Sequence, residues 1–166
     1  MTEQSTTKKE NNMNFTISNI TKGIIAGLIA TLVLTALMMM KKFMGIMPEL
    51  DPVHMMATMA AQKAGMETNM MIGWVMHFMI GAVAWGSAFA VLNNILPTKN
   101  QLTKGIVLGI AAWFIMMLGP MVMAGNGLFG LALGPMAPVM TFMLHIVFGV
   151  VLGFSFEKLT IKSTRV

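Results

Sequence analysis

The chain has 166 residues, of which 56% are hydrophobic and only 10% are charged, and its formal net charge is +5. Soluble domains carry about 25% charged residues, so this composition excludes an ordinary soluble protein. The chain has no cysteine, which excludes disulfides, zinc–thiolate sites and cysteine nucleophiles. Because no basic helix accompanies the positive charge, we expect the lipid bilayer as a partner and no nucleic acid.

The distribution of apolar residues predicts an all-α integral membrane four-helix bundle. A spanning helix needs about 20 predominantly apolar residues, and no charged side chain occurs in residues 68–98 or 105–156. We predict a loose polar cytoplasmic tail over 1–21, a transmembrane domain over 22–158 with spans at 23–40, 71–92, 105–123 and 138–156, and a basic cytoplasmic tail over 159–166.

The segment after the first span predicts a short amphipathic surface helix over 52–64, between helices 1 and 2. Asp51 is a good N-cap, Pro52 suits the first helical position, and Gly65 is a plausible C-terminal stop. A helix of this length should lie on the outer membrane surface. The uncharged, glycine-rich loop at 124–137 is too apolar for an exposed loop, so we expect protein to cover it at the membrane edge.

The placement of lysine and arginine predicts that both termini are cytoplasmic. Eight of these cations fall on the side of the termini and the 93–104 loop, against three on the other side. Cytoplasmic loops carry the excess of positive charge in inner-membrane proteins. Lys41 and Lys42 oppose this orientation locally. We therefore expect a multi-pass membrane protein with both termini on the cytoplasmic side.

The two halves of the chain resemble each other, which predicts two tandem two-helix repeats. The first span opens with Lys-Gly at 22–23 and the third with Lys-Gly at 104–105, while His77 and His145 each precede a glycine by four residues. Such a repeat would place the two histidines at comparable depth on opposite sides of one axis. Glycines spaced four apart also allow helix backbones to approach closely.

Several short motifs resemble a known family. They are Met-Gly-Ile-Met-Pro-Glu-Leu-Asp at 44–51, His-Phe-Met-Ile-Gly at 77–81 with Trp85-Gly86, Gly-Asn-Gly-Leu-Phe-Gly at 125–130, and His-Ile-Val-Phe-Gly at 145–149. Together they resemble the DUF6789 family of small bacterial membrane proteins, over about residues 22–156. The resemblance implies the four-helix architecture, a location in the bacterial inner (plasma) membrane and no particular activity.

Methionine and histidine are concentrated in the outer half of the predicted topology. All but two of the 22 methionines lie there, together with all three histidines. Thioether and imidazole groups suit Cu(I), and methionines four residues apart place both sulfurs on one helical face. The candidate ligands for a soft metal ion are His54, His77, His145, Met55, Met59, Met117, Met121, Met136 and Met140. The alternative is that methionine serves as adaptable apolar filler.

Other functions stay open at this point. His77 and His145 could hold one haem b iron in quinone-linked electron transfer, could hydrogen-bond a quinone, or could each simply donate to a neighbouring carbonyl. A third interpretation is an accessory subunit without a ligand, in a homodimer or a larger membrane complex. No carboxylate lies within a span and no nucleophile–base set is evident, so we expect a protein that is not an enzyme.

Overall fold

A computed structural model describes residues 3–96 and 98–163 of the chain, and this part is helical with no strand. The α-helices are α1 (Glu3–Phe43), α2 (Pro52–Ala64), α3 (Met70–Leu92), α4 (Gln101–Met123, kinked at Gly119) and α5 (Met136–Ser163), and a short 3₁₀ helix at Leu128–Leu133 lies in the loop before α5. Four segments are long and apolar enough to cross a membrane: Ile17–Phe43, Met70–Leu92, Gln101–Met123 and Met136–Ile161. The predicted all-α membrane bundle is confirmed.

The first and last helices extend beyond their predicted ends. Helix α1 begins at Glu3, so the expectation of a loose tail is wrong for residues 3–21. No proline or glycine lies between Glu3 and Gly23, and so nothing in this polar segment stops the helix. Helix α5 continues to Ser163, which makes most of the predicted basic tail at 159–166 helical. Residues 1–2 and 164–166 lie outside the described part of the chain.

Helix α2 has the predicted bounds because its end signals are local. The Asp51 carboxylate accepts a hydrogen bond of 3.0 Å from the His54 amide, and Gly65 ends the helix in the left-handed conformation at φ 64°. The helix packs closely on α3 at Gly73, where a Cβ atom would lie 2.3 Å from the carbonyl oxygen of Val53.

The spanning helices pack in a row in the order α3, α1, α5, α4. Each half of the chain forms a hairpin whose helices meet at glycines. A Cβ atom on Gly86 of α3 would lie 2.4 Å from the Gly23 oxygen of α1, and one on Gly149 of α5 would lie 2.4 Å from the Gly105 oxygen of α4. This matching contact supports the two tandem repeats. Within the described ranges, α3 and α4 make no extensive contact with each other.

The packing register shows that the two histidines are not equivalent. His145 precedes its crossing glycine, Gly149, by four residues, whereas His77 precedes Gly86 by nine. The two spacings differ by five residues, which is more than one helical turn of 3.6 residues, so the prediction of comparable depth is wrong. The cause lies partly in a π-helical segment at Met79–Trp85, which alters the count of residues per turn. Gly81 packs against the side chain of Thr31, where a Cβ atom would lie 2.3 Å from the hydroxyl oxygen.

Two apolar clusters hold the bundle together, one toward each end. At the end with the chain termini, Phe89 of α3 and Phe156 of α5 meet edge to face with ring centroids 5.1 Å apart. At the end with α2, the buried side chains of Leu50, Met117 and Met121 form a second cluster.

Candidate functional site

A cavity of about 260 Å³ lies among all five helices. Six methionines and two of the three histidines line it: Met38, Met55, Met56, Met59, Met76, Met116, His77 and His145. Helix α2 contributes the roof, which consists of Pro52, Met55, Met56 and Met59. The other lining residues are aliphatic or aromatic residues, proline, glycine and two threonines, and none is charged.

A hydrogen-bond chain to helix α1 fixes the ring of His77. The His77 Nε2 lies 3.0 Å from the Thr35 hydroxyl, and that hydroxyl donates its single proton to the Thr31 carbonyl at 2.8 Å. Thr35 must therefore accept from His77, because a hydroxyl has only one hydrogen to donate. The neutral imidazole then carries its proton on Nε2 and a lone pair on Nδ1.

His145 has the opposite tautomer. Its Nδ1–H donates to the Thr141 carbonyl of its own helix at 2.8 Å, which leaves the lone pair on Nε2. In the described chain, no fully buried side-chain nitrogen or oxygen lacks a hydrogen bond. The Nε2 of His145 makes no hydrogen bond and is therefore not fully buried, and the residue lines the cavity.

The lining presents electron lone pairs rather than hydrogen-bond donors. The hydroxyls of Thr31 and Thr141 donate to carbonyls of their own helices at 2.7 and 2.8 Å. With no carboxylate in the lining, a charged imidazole would lack a counter-ion inside the membrane, so both histidines are neutral. Of the lining side chains, all within the described residues, only Trp85 keeps an N–H donor without a hydrogen bond. The lining therefore offers mainly unshared electron pairs of thioether sulfur and imidazole nitrogen.

Two lysines anchor the loop that leads from α1 to the roof. The Lys41 ammonium donates to three loop carbonyls, at 3.2 Å to Ile46 and 2.8 Å to Met47 and Leu50. Lys42 forms an ion pair of 3.0 Å with Asp51. Burial alone would raise the pKa of Asp51, but the His54 amide and the Lys42 cation outweigh it and hold that pKa below its usual value.

Comparison with known proteins supplies the family. A family of unknown function, DUF6789, matches the chain over residues 17–166. The chain belongs to this family. The resemblance noted in the sequence is thereby confirmed, and four apolar spanning helices make this DUF6789 member a multi-pass membrane protein. No curated protein and no solved structure matches it.

The structure of this DUF6789 member separates the nine predicted metal ligands into three groups. The cavity is lined by His77, His145, Met55 and Met59. The second apolar cluster takes up Met117, Met121 and Met140, the first two only 0% and 1% exposed. Exposed positions away from the cavity hold His54 and Met136. Among the described residues, no group of three or more His, Asp or Glu side chains could hold a metal.

Four of the cavity methionines are not among the ligands predicted from the sequence. They are Met38 of α1, Met56 of α2, Met76 of α3 and Met116 of α4. They come from four helices, so no local spacing connects them. Asn126 of the glycine-rich loop was also not predicted; its amide nitrogen lies 3.5 Å from the Met55 sulfur and 3.7 Å from the Met121 sulfur. This amide connects the loop to the roof.

Proposed function

We propose that this protein binds a soft monovalent metal ion, such as Cu(I), in the cavity between its spanning helices. The observation that carries the proposal is the lining of six thioethers and two neutral imidazoles, each imidazole with one lone pair that makes no hydrogen bond. Thioether sulfur and imidazole nitrogen are ligands of Cu(I). Its role would be in trafficking or tolerance of the ion rather than in catalysis.

The charge of the site favours a monovalent ion. The lining contains no carboxylate to neutralise a cation, and the cost of placing an ion in a medium of low dielectric constant rises steeply with its charge. A hard divalent ion such as Mg²⁺ or Ca²⁺ would also require several oxygen ligands, which this cavity does not offer.

We also propose that the protein lies in the bacterial inner membrane with both termini in the cytoplasm, so that the roof faces outward. Lys41 and Lys42 are the two cations that oppose this orientation in the sequence. Lys41 is buried against three carbonyls and Lys42 is paired with Asp51, so both have local structural roles. These two lysines therefore count little against the proposed orientation, in which the cytoplasmic side carries the excess of positive charge.

The size of the cavity counts against the haem alternative. Pockets for drug-sized ligands have volumes of about 300–1,000 Å³, and a haem is at least as large as such ligands. A cavity of about 260 Å³ would therefore have to widen before His77 and His145 could hold a haem iron between them. A single soft ion needs no such rearrangement.

Silver titration of the purified protein in detergent tests the proposal, because Ag(I) has the ligand preferences of Cu(I) without its redox chemistry. The test variant replaces three lining methionines, Met59→Leu, Met76→Leu and Met116→Leu, and so removes sulfur while keeping size. Such isosteric changes cost less than about 1.5 kcal/mol each. We expect one tight Ag(I) site in the unaltered chain and a loss of affinity of about 100-fold in the variant.

A second triple variant is the matched control. It carries Met71→Leu, Met79→Leu and Met143→Leu at exposed positions outside the cavity. We expect this control to bind Ag(I) like the unaltered chain. Equal affinities in all three proteins, or no tight binding in the unaltered chain, would refute the proposal.

A further inference from the structure

We infer that the cavity opens sideways to the bilayer between α3 and α4, and that an acyl chain of a membrane phospholipid enters it there. The row order of the helices leaves α3 and α4 without extensive contact across the described residues, although both line the cavity. The opening, here called the mouth, is flanked by Ile80 of α3 and Ile115 of α4. These lining side chains are 42% and 59% exposed.

The depth of the mouth determines what lies outside it. Ile80 is ten residues from the start of α3 at Met70, and Ile115 is eight residues from the end of α4 at Met123. At 1.5 Å per residue, both lie about 12–15 Å below the α2 end of their spans. The hydrocarbon core of a bilayer is about 30 Å thick, so the mouth faces acyl chains rather than headgroups or water.

The lining determines which molecule fills the space. Protein interiors are close-packed, and a void of this size would forfeit many contacts if it stayed empty. Its volume corresponds to about nine water molecules at about 30 Å³ each. Each water needs two to four polar partners, whereas the lining offers mainly thioether, aliphatic and aromatic groups. Methylene groups of an acyl chain match this surface and are present at the mouth.

This inference goes beyond the proposed function and depends on the cavity alone. A chain whose sulfur ligands are replaced by leucine would still admit lipid, because the shape and the apolar character are kept. A chain whose cavity is filled would exclude lipid. The two proposals can therefore fail separately.

Fluorescence quenching by phospholipids with brominated acyl chains provides the test. In a Trp74→Phe/Trp113→Phe background, Trp85 in the cavity lining is the single fluorophore. We expect brominated chains in vesicles to quench Trp85. Leu144→Phe, which enlarges one lining side chain and so narrows the cavity, should reduce this quenching. Val122→Phe, at an exposed position of α4 outside the cavity, is the matched control and should leave it unchanged.

A second measurement avoids the tryptophan substitutions. Native mass spectrometry should detect one retained phospholipid on the unaltered chain and on Val122→Phe, and less retained phospholipid on Leu144→Phe. Equal quenching with and without Leu144→Phe, or equal lipid retention, would overturn the inference. So would a lipid-free dimer, because a second copy would then cover the mouth.

Discussion

The contact between α4 and α5 makes a quantitative prediction for Gly105→Ala. A Cβ atom at this position would lie 2.0 Å from the carbonyl oxygen of Gly149, where ordinary contact begins at 3.4 Å. The two helices would have to separate by the difference, 1.4 Å, because the opposing atom belongs to a backbone and not to a flexible side chain.

The cost of Gly105→Ala follows from two opposing effects. Overpacking typically costs about 1–3 kcal/mol, and a backbone clash belongs at the upper end of this range because separating the helices also loses dispersion contacts along the whole interface. Replacing glycine by alanine within a helix stabilises the helix by about 1 kcal/mol, because alanine has the higher helix propensity. We expect a net loss of about 2 kcal/mol in the free energy of unfolding.

Unfolding in mixed micelles of increasing SDS content, followed by circular dichroism, measures this change. Ala111→Gly is the control, since Ala111 is exposed on the same helix and reports helix propensity alone. We expect this control to lose about 1 kcal/mol. A Gly105→Ala chain as stable as the unaltered protein would refute the close contact between α4 and α5.

Three further predictions concern the site and its roof. Thr35→Val removes the acceptor for the His77 Nε2–H, so the ring should lose its fixed tautomer in ¹⁵N NMR spectra and Ag(I) affinity should fall about 10-fold, while Thr35→Ser should restore both. Lys41→Met leaves three loop carbonyls without their donor and should cost about 3 kcal/mol, seen as faster hydrogen exchange at residues 44–51. Because the pKa of Asp51 is lowered in the folded protein, its stabilisation of α2 should be complete above the ordinary carboxyl pKa of about 3.9 and be lost as pH falls through the lowered value. Hydrogen exchange of the His54 amide should therefore accelerate only when the solution is acidified. In Asp51→Asn, this acid-induced acceleration should be absent.

Each of these predictions has a contrary outcome. An unchanged His77 tautomer in Thr35→Val would mean that α1 does not orient the ring. Unchanged exchange at residues 44–51 in Lys41→Met would mean that the loop holds its shape without the ammonium group. If acid still accelerated exchange of the His54 amide in Asp51→Asn, the effect would arise from another carboxylate.

Much of the fold could be predicted because its signals are local. The four spans could be predicted because each contains enough consecutive apolar residues to form a helix that crosses the hydrocarbon core of a bilayer. The bounds of α2 follow from Asp51, Pro52 and Gly65, which act within one turn of the helix ends. The length of α1 could not be predicted in the same way, because polarity marks where a helix leaves the membrane and not where it stops.

The site was only partly predictable because its geometry depends on packing between distant segments. His77 and His145 could be singled out, since imidazoles are rare inside membranes. Their relative depth could not, because similar His-x-x-x-Gly motifs conceal different glycine contacts and a π-helical segment lies in α3 alone. Thr35 lies 42 residues from His77, and no local pattern connects them.

X-ray absorption spectroscopy of the protein loaded with Cu(I) tests the central claim most directly, because it identifies the atoms bound to the ion. We predict both sulfur and imidazole nitrogen in the coordination shell, with the sulfur contribution reduced in the Met59→Leu/Met76→Leu/Met116→Leu chain. A shell of oxygen alone, or a protein that retains no copper, would contradict the account.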